Sequence, residues 1–159
     1  MKYLRHTGKH ARKRPVTPWI ILALIIIALV VPARGAQAQG LSFNQRVASS
    51  VKNYIGSPYA WGGTGPGYDC SGLALTVYGR YGKALSHSAE WDYLHSRHLS
   101  ESQAWGGDLV FFLSEGYAYH VGIYEGGGQM VSALNSTYGV KWTPVSWGGS
   151  GVAFGTFSH

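Results

Sequence analysis

"GYDCSGLALTVYG", residues 67–79, carries the only cysteine of a 159-residue chain. An acid and a small hydroxyl residue flank Cys70 just where an apolar run begins, and that run gives the first reading of the fold. Leu73, Ala74, Val77, Tyr78 and Tyr81 recur at helical spacing, and the stripe stops at Gly82. Asp69 therefore reads as an N-cap, with Cys70 in the first turn of a helix. Unpaired amides and the helix dipole favour negative charge there, which predicts a lowered thiol pKa. The same amides are placed to stabilise a developing oxyanion.

Working outward, Ser42-Phe43-Asn44-Gln45 fits a capping box, and Val47, Val51, Tyr54 and Ile55 continue an amphipathic helix until Gly56 and Pro58. Residues 56–67 hold five glycines and two prolines and read as a loop. A short third helix is expected from Ser88 to about Ser96, with Ser88 as N-cap and Glu90 and Asp92 in the first turn. The period then changes to strands over residues 109–113, 119–124, 129–134, 140–145 and 152–157, with a hairpin turn expected at Gly148 to Gly151. Helices followed by strands predict an α+β fold, N-terminal helices packed on a C-terminal antiparallel sheet with the cysteine at a helix N-terminus.

The first 38 residues have a different character. Eight of the first fifteen are Lys, Arg or His, a thirteen-residue apolar stretch runs from Trp19 to Val31, and Ala36-Gln37-Ala38 follows. That stretch is shorter than the roughly 20 residues that span a bilayer, so residues 1–38 are expected to be a signal peptide and 39–159 the mature domain. An uncleaved membrane anchor is the alternative. The chain's net charge of +6 comes from this segment: residues 39–159 keep six Lys and Arg against seven Asp and Glu, a net charge of −1. No basic patch is left to argue for nucleic acid, and no stable membrane association is expected after cleavage. A lone cysteine in an exported monomeric domain is a liability unless it is used.

A thiol nucleophile needs a base, and five histidines follow it. His95 and His98 fall on a polar helix end and His159 is the terminus, while His87 is loop-borne and a possible substrate contact. His120 opens "HVGIYEG", where Val121 and Ile123 share one strand face and His120, Gly122 and Tyr124 the other, with Gly122 suggesting an open face. For the group that orients the imidazole, hairpin parity through Gly126 to Gly128 points to Ser132, and Asn135 has the wrong parity unless the strand has ended. Serine is a weak orienter. One cysteine and scattered histidines give no convincing metal ligand set, and no cofactor is implied.

"PYAWGGTGPGYDCSGL", "GDLVFF" and "HVGIYEGGGQMVSA", in this order, resemble the NlpC-type family of papain-like bacterial cell-wall peptidases. The resemblance runs from Asn44 to Phe157. It implies a papain-like fold and hydrolysis of peptidoglycan stem peptides, typically between D-isoglutamate and the diamino acid. It makes Cys70 the nucleophile, His120 the base and Ser132 the third catalytic position, where the family usually has His. Tyr59 matches its substrate-binding tyrosine, and Asp69 and Ser71 the pair that holds the free amine end of the stem. Leu85-Ser86-His87-Ser88 replaces a segment that usually reads Leu-Pro-Arg-Thr. Besides a secreted endopeptidase working through an acyl-thioester, a wall-binding module with a decayed triad and a thiol amidase acting on another secreted substrate fit the same residues.

Overall fold

The computed structural model describes residues 40–158, so the expected signal peptide and His159 lie outside the described residues. Helix α1 (Phe43–Val51) begins with the expected capping box: Ser42 and Gln45 exchange side-chain and backbone hydrogen bonds. A single 3-10 turn, Lys52–Tyr54, continues it, which buries Tyr54 but leaves Ile55 38% exposed rather than on the apolar stripe. Helix α2 (Cys70–Gly79) and helix α3 (Ala89–His95) follow, α3 capped by the Ser88 hydroxyl.

Six strands form one antiparallel sheet: β1 (Arg97–Leu99), β2 (Leu109–Ser114), β3 (Tyr117–Gly126), β4 (Gln129–Ala133), β5 (Val140–Pro144) and β6 (Val152–Thr156), in the order β1-β6-β2-β3-β4-β5. Two expectations are corrected here. His98 lies in β1, not on a helix end, and its Nε2 meets the Tyr93 carbonyl oxygen. The segment around Gly148 to Gly151 is no hairpin turn, because β5 and β6 sit far apart in the sheet and a 3-10 turn, Val145–Gly148, leads from one to the other.

Strand alternation divides the buried side chains between two faces. Leu109, Phe111, Val121, Ile123, Val131 and Ala133 pack against α1, α2 and α3, whose Val47, Val51, Leu73, Val77 and Tyr78 are fully or almost fully buried. Val110, Phe112, Tyr124, Met130 and Phe154 form a second cluster with Val145 on the other face. A sheet with both faces occupied and helices on one of them is the α+β arrangement expected. Phe111, fully buried and edge-on to Tyr93, joins sheet to helices, whereas Leu94 on α3 is 62% exposed. Chemical denaturation is expected to show Phe111→Ala losing about 3–5 kcal/mol of stability and Leu94→Ala less than about 0.5 kcal/mol.

Candidate active site

Asp69 holds the start of α2. Its backbone is extended (φ −93°, ψ 178°) and its Oδ1 accepts the Gly72 amide at 2.7 Å, the N-cap predicted from sequence. Oδ1 also accepts the Ser71 hydroxyl at 3.2 Å, and Oδ2 accepts the Gly62 amide at 2.8 Å. His87 Nε2 lies 2.9 and 3.0 Å from the two oxygens. One carboxylate thus ties together the glycine loop, the first turn of α2 and the loop before α3. Gly72 has to be glycine, since a Cβ there would strike the Gly63 carbonyl.

The Cys70 sulfur is partly buried, and the backbone amides of Val121, Ser71 and Cys70 itself favour its charged form. Pairing between β3 and β4 runs from Gly126 only as far as Ile123 opposite Val131. Val121 lies beyond that limit, paired with Phe111 of β2 but with no residue of β4. Its amide, acting on the sulfur, sets the thiol against the peptide that joins His120 to Val121. Burial pushes the thiol above its ordinary pKa, the charge of Asp69 adds to this, and the amide donors offset only part. The lowered pKa expected from the helix terminus is therefore corrected: desolvating a thiolate outweighs the favourable helix end.

His120 is 8% exposed, and its ring packs 5.4 Å from that of Phe112. Burial lowers its pKa to about 4, so the imidazole is neutral at ordinary pH. Its Nε2 has no hydrogen-bond partner among the described residues. Ser132 is fully buried beside Gly122, on the face parity predicts, but its hydroxyl pairs with Thr143 Oγ1 at 3.1 Å. Among the described residues no hydrogen bond joins Ser132 to His120. Asn135 is exposed, and its Oδ1 accepts the amides of Thr137 and Tyr138, so it closes a turn instead of orienting the ring. Gly122 does not open this face either. A Cβ there would meet Met130 Sδ at 2.6 Å and Ser132 Cβ at 3.0 Å, so the glycine is needed for packing.

A groove of about 340 Å³ runs over the sulfur and gathers five of the residues singled out from sequence: Tyr59, Asp69, Cys70, Ser71 and His87. The Tyr59 hydroxyl has its pKa raised, by burial first and then by the charges of Cys70 and Asp69. Trp61, Tyr117 and Tyr119 also line the groove and went unrecognised, although they are 89%, 57% and 53% exposed. The signal was the Tyr-Ala-Tyr alternation before His120, which a bulge displaces: Phe112 faces His120 while Leu113 faces Ala118, leaving Tyr119 outside the ladder. Three larger hollows, of about 670, 570 and 370 Å³, lie elsewhere and are lined by no cysteine or histidine, so chemistry favours the smaller groove. His95 and His98 stack on Trp91 and Tyr93 and are structural.

Known proteins with this sequence pattern and this architecture agree with one another. The NlpC/P60 family profile matches residues 56–152. The "Probable endopeptidase p60" of Listeria grayi is 41% identical over 124 residues, covering 76% of this chain and 24% of that protein. The "Bifunctional muramidase/DL-endopeptidase CwlT" of Bacillus subtilis is 37% identical over 134 residues, covering 79% of this chain and 39% of its own length. The chain thus spans well under half of either relative. The crystal structure of the NlpC/p60 domain of the peptidoglycan hydrolase SagA superposes with a TM-score of 0.65 at 36% identity, over 71% of this chain and 98% of that domain. On the match over residues 56–152 and these identities, the chain belongs to the NlpC/P60 family.

Proposed function

We propose that the domain is a cysteine endopeptidase that hydrolyses peptidoglycan stem peptides, at the bond between D-isoglutamate and the diamino acid. The observation that carries this reading is the placement of the Cys70 sulfur: at a helix N-terminus, on the floor of an open groove, against the peptide bond of a buried neutral histidine. The names of the relatives supply the substrate class. Export by residues 1–38 and action in the cell wall belong to the same reading.

In this mechanism the thiol and imidazole start as a neutral pair. His120 takes the thiol proton as sulfur bonds to the scissile carbonyl carbon, and the oxygen gains charge beside the amides of the α2 first turn. The imidazolium then returns its proton to the departing amine as the C–N bond breaks, leaving an acyl-thioester on Cys70. Water, deprotonated by the same imidazole, releases the acid and restores the thiol. Ser132, whose hydroxyl is bound to Thr143, takes no part in these proton transfers, while Tyr59, Asp69, Ser71 and His87 shape the groove that receives the stem.

The unpartnered Nε2 of His120 is the observation that favours a second reading, a module that holds stem peptide without cutting it. Muropeptide release from purified walls decides between them. Wild-type protein is expected to release soluble fragments and Cys70→Ser to lose this by on the order of 10³-fold or more. Wall binding with no release would select the second reading. Ser132→Ala is expected to change kcat/KM by less than about threefold, since its hydroxyl is bound to Thr143; a loss as large as that of Cys70→Ser would restore Ser132 to the catalytic machinery.

The pH profile tests the neutral pair directly. Imidazole must be unprotonated to accept the thiol proton, so activity is lost as pH falls through the folded His120 pKa. The acid limb of kcat/KM is expected at about 4, not at the roughly 6.5 of an exposed histidine. A limb at or above 6.5 would show that the imidazole is not held neutral by burial.

A further inference from the structure

A second hollow, of about 570 Å³, lies apart from the groove over Cys70 and shares no lining residue with it. Asn44 lines it from α1 and Lys52 from the turn that continues α1, while Trp105 lies in the segment before β2 and Glu125 near the end of β3. Asp108, 2% exposed, fixes these walls against each other. One of its carboxylate oxygens accepts the Asn44 side-chain amide at 2.7 Å, and the other accepts the Trp105 backbone amide at 2.8 Å. Gly107 lets α1 come this close, since a Cβ there would strike the Asn44 carbonyl.

Two of the residues on these walls carry acceptors that lack donors. Asn44 Oδ1 and Glu125 Oε1 are buried and have no hydrogen-bond partner among the described residues. The Glu125 side chain is 3% exposed, and its other oxygen is held by Lys52 Nζ at 3.0 Å, while the same ammonium also lies over the Trp142 ring. Burial raises the Glu125 pKa and Lys52 offsets only part of the rise, as expected for a carboxylate short of donors. Buried acceptors left unpaired are costly, so both call for a donor that the described residues do not supply.

Charge and shape narrow the class of ligand. Among the described residues that line the hollow only Lys52 and Glu125 are charged, and they pair, so an incoming ammonium meets no net negative charge and a like charge on Lys52. Hydroxyl and amide N–H donors meet no such penalty. Trp105, 76% exposed, offers an indole face, whose electron-rich surface attracts the C–H groups of a sugar ring. The volume also falls within the roughly 300–1,000 Å³ of small-molecule sites. We propose that this hollow binds a neutral, N-acylated sugar ring of the glycan strand that carries the stem peptides, stacked on Trp105 with its hydroxyl or acetamido N–H groups donating to Glu125 and Asn44. The choice of glycan rests on the hydrolase reading above, to which the site adds a hold on the wall apart from the catalytic groove.

The test titrates the purified protein by calorimetry with chitotetraose, a neutral N-acetylated sugar oligomer. Saturable binding is expected, weakened by about tenfold or more in Trp105→Ala and largely kept in Trp105→Tyr, which retains an aromatic face. The de-N-acetylated tetramer, which carries ammonium groups, is expected to bind about tenfold more weakly than chitotetraose. In Trp105→Ala, kcat/KM on a short synthetic stem peptide is expected to hold while release from purified walls falls severalfold, a split that a misfolded domain would not give. No binding of chitotetraose at millimolar concentration, binding or wall release unmoved in Trp105→Ala, or tighter binding of the ammonium oligomer overturns this inference alone. Sugar binding that Trp105→Ala weakens, with neither walls nor stem peptide cleaved by wild type, overturns the hydrolase reading and leaves the sugar site standing.

Discussion

A carboxylate that is 7% exposed is tolerable only if its oxygens are bonded, and Asp69 meets that condition by drawing three separate segments to one point. Most of the site's construction follows from this. The Gly62 amide has to approach, so the loop before α2 folds closely onto the helix, which in turn requires Gly72 to lack a side chain. The Gly72 amide is satisfied, so α2 starts at Cys70 and nowhere else. His87 closes the shell from the opposite side and carries the loop before α3 over the groove. The position of the sulfur is thus set by its neighbour's side chain more than by its own contacts.

The sheet supplies the other half of the site by failing to stay regular. β3 and β4 stop pairing past Ile123, which leaves Val121 without a partner on β4 where its amide favours charge on the sulfur. The bulge at Tyr119 acts in the same stretch, letting Ala118 and Val121 both face the helices while His120 turns to the opposite face beside Phe112. Nucleophile and base candidates therefore approach from two sides of one irregular strand. A straight, fully paired β3 would keep Val121 and Ile123 in the core and lose the site.

What could be read beforehand divides along local and non-local lines. Caps at Ser42, Asp69 and Ser88 are contacts within three residues, and all three formed as expected. The strands that alternate or run apolar were visible as well, because face assignment needs only period two. β1 was missed since Arg97-His98-Leu99 is too short and too polar to show a period, and it exists only by pairing with β6. The β5-to-β6 connection was misjudged for a related reason: glycines mark a turn but not which strands it joins. Parity put Ser132 on the right face, yet whether its hydroxyl would reach His120 or Thr143 depends on a strand pairing between β4 and β5 that no local pattern reports. The thiol pKa went the wrong way because a helix terminus is legible in sequence and burial is not.

That last difference bears on why one cysteine can be kept in a domain proposed to work outside the cell. A thiolate at a helix end would be reactive at all times, and oxidation and alkylation follow thiolate character and exposure. With Cys70 raised by burial and His120 lowered by burial, the proton stays on sulfur in the resting state. The amides at the start of α2 and at Val121 nonetheless remain directed at the sulfur, ready to stabilise charge once it forms there or on a carbonyl oxygen nearby. In the proposed mechanism, substrate in the groove excludes water and brings the electrophile, so proton transfer to His120 becomes favourable only as the carbon–sulfur bond forms. In that mechanism, burial that first looks like a defect in a nucleophile couples its reactivity to occupancy of the groove.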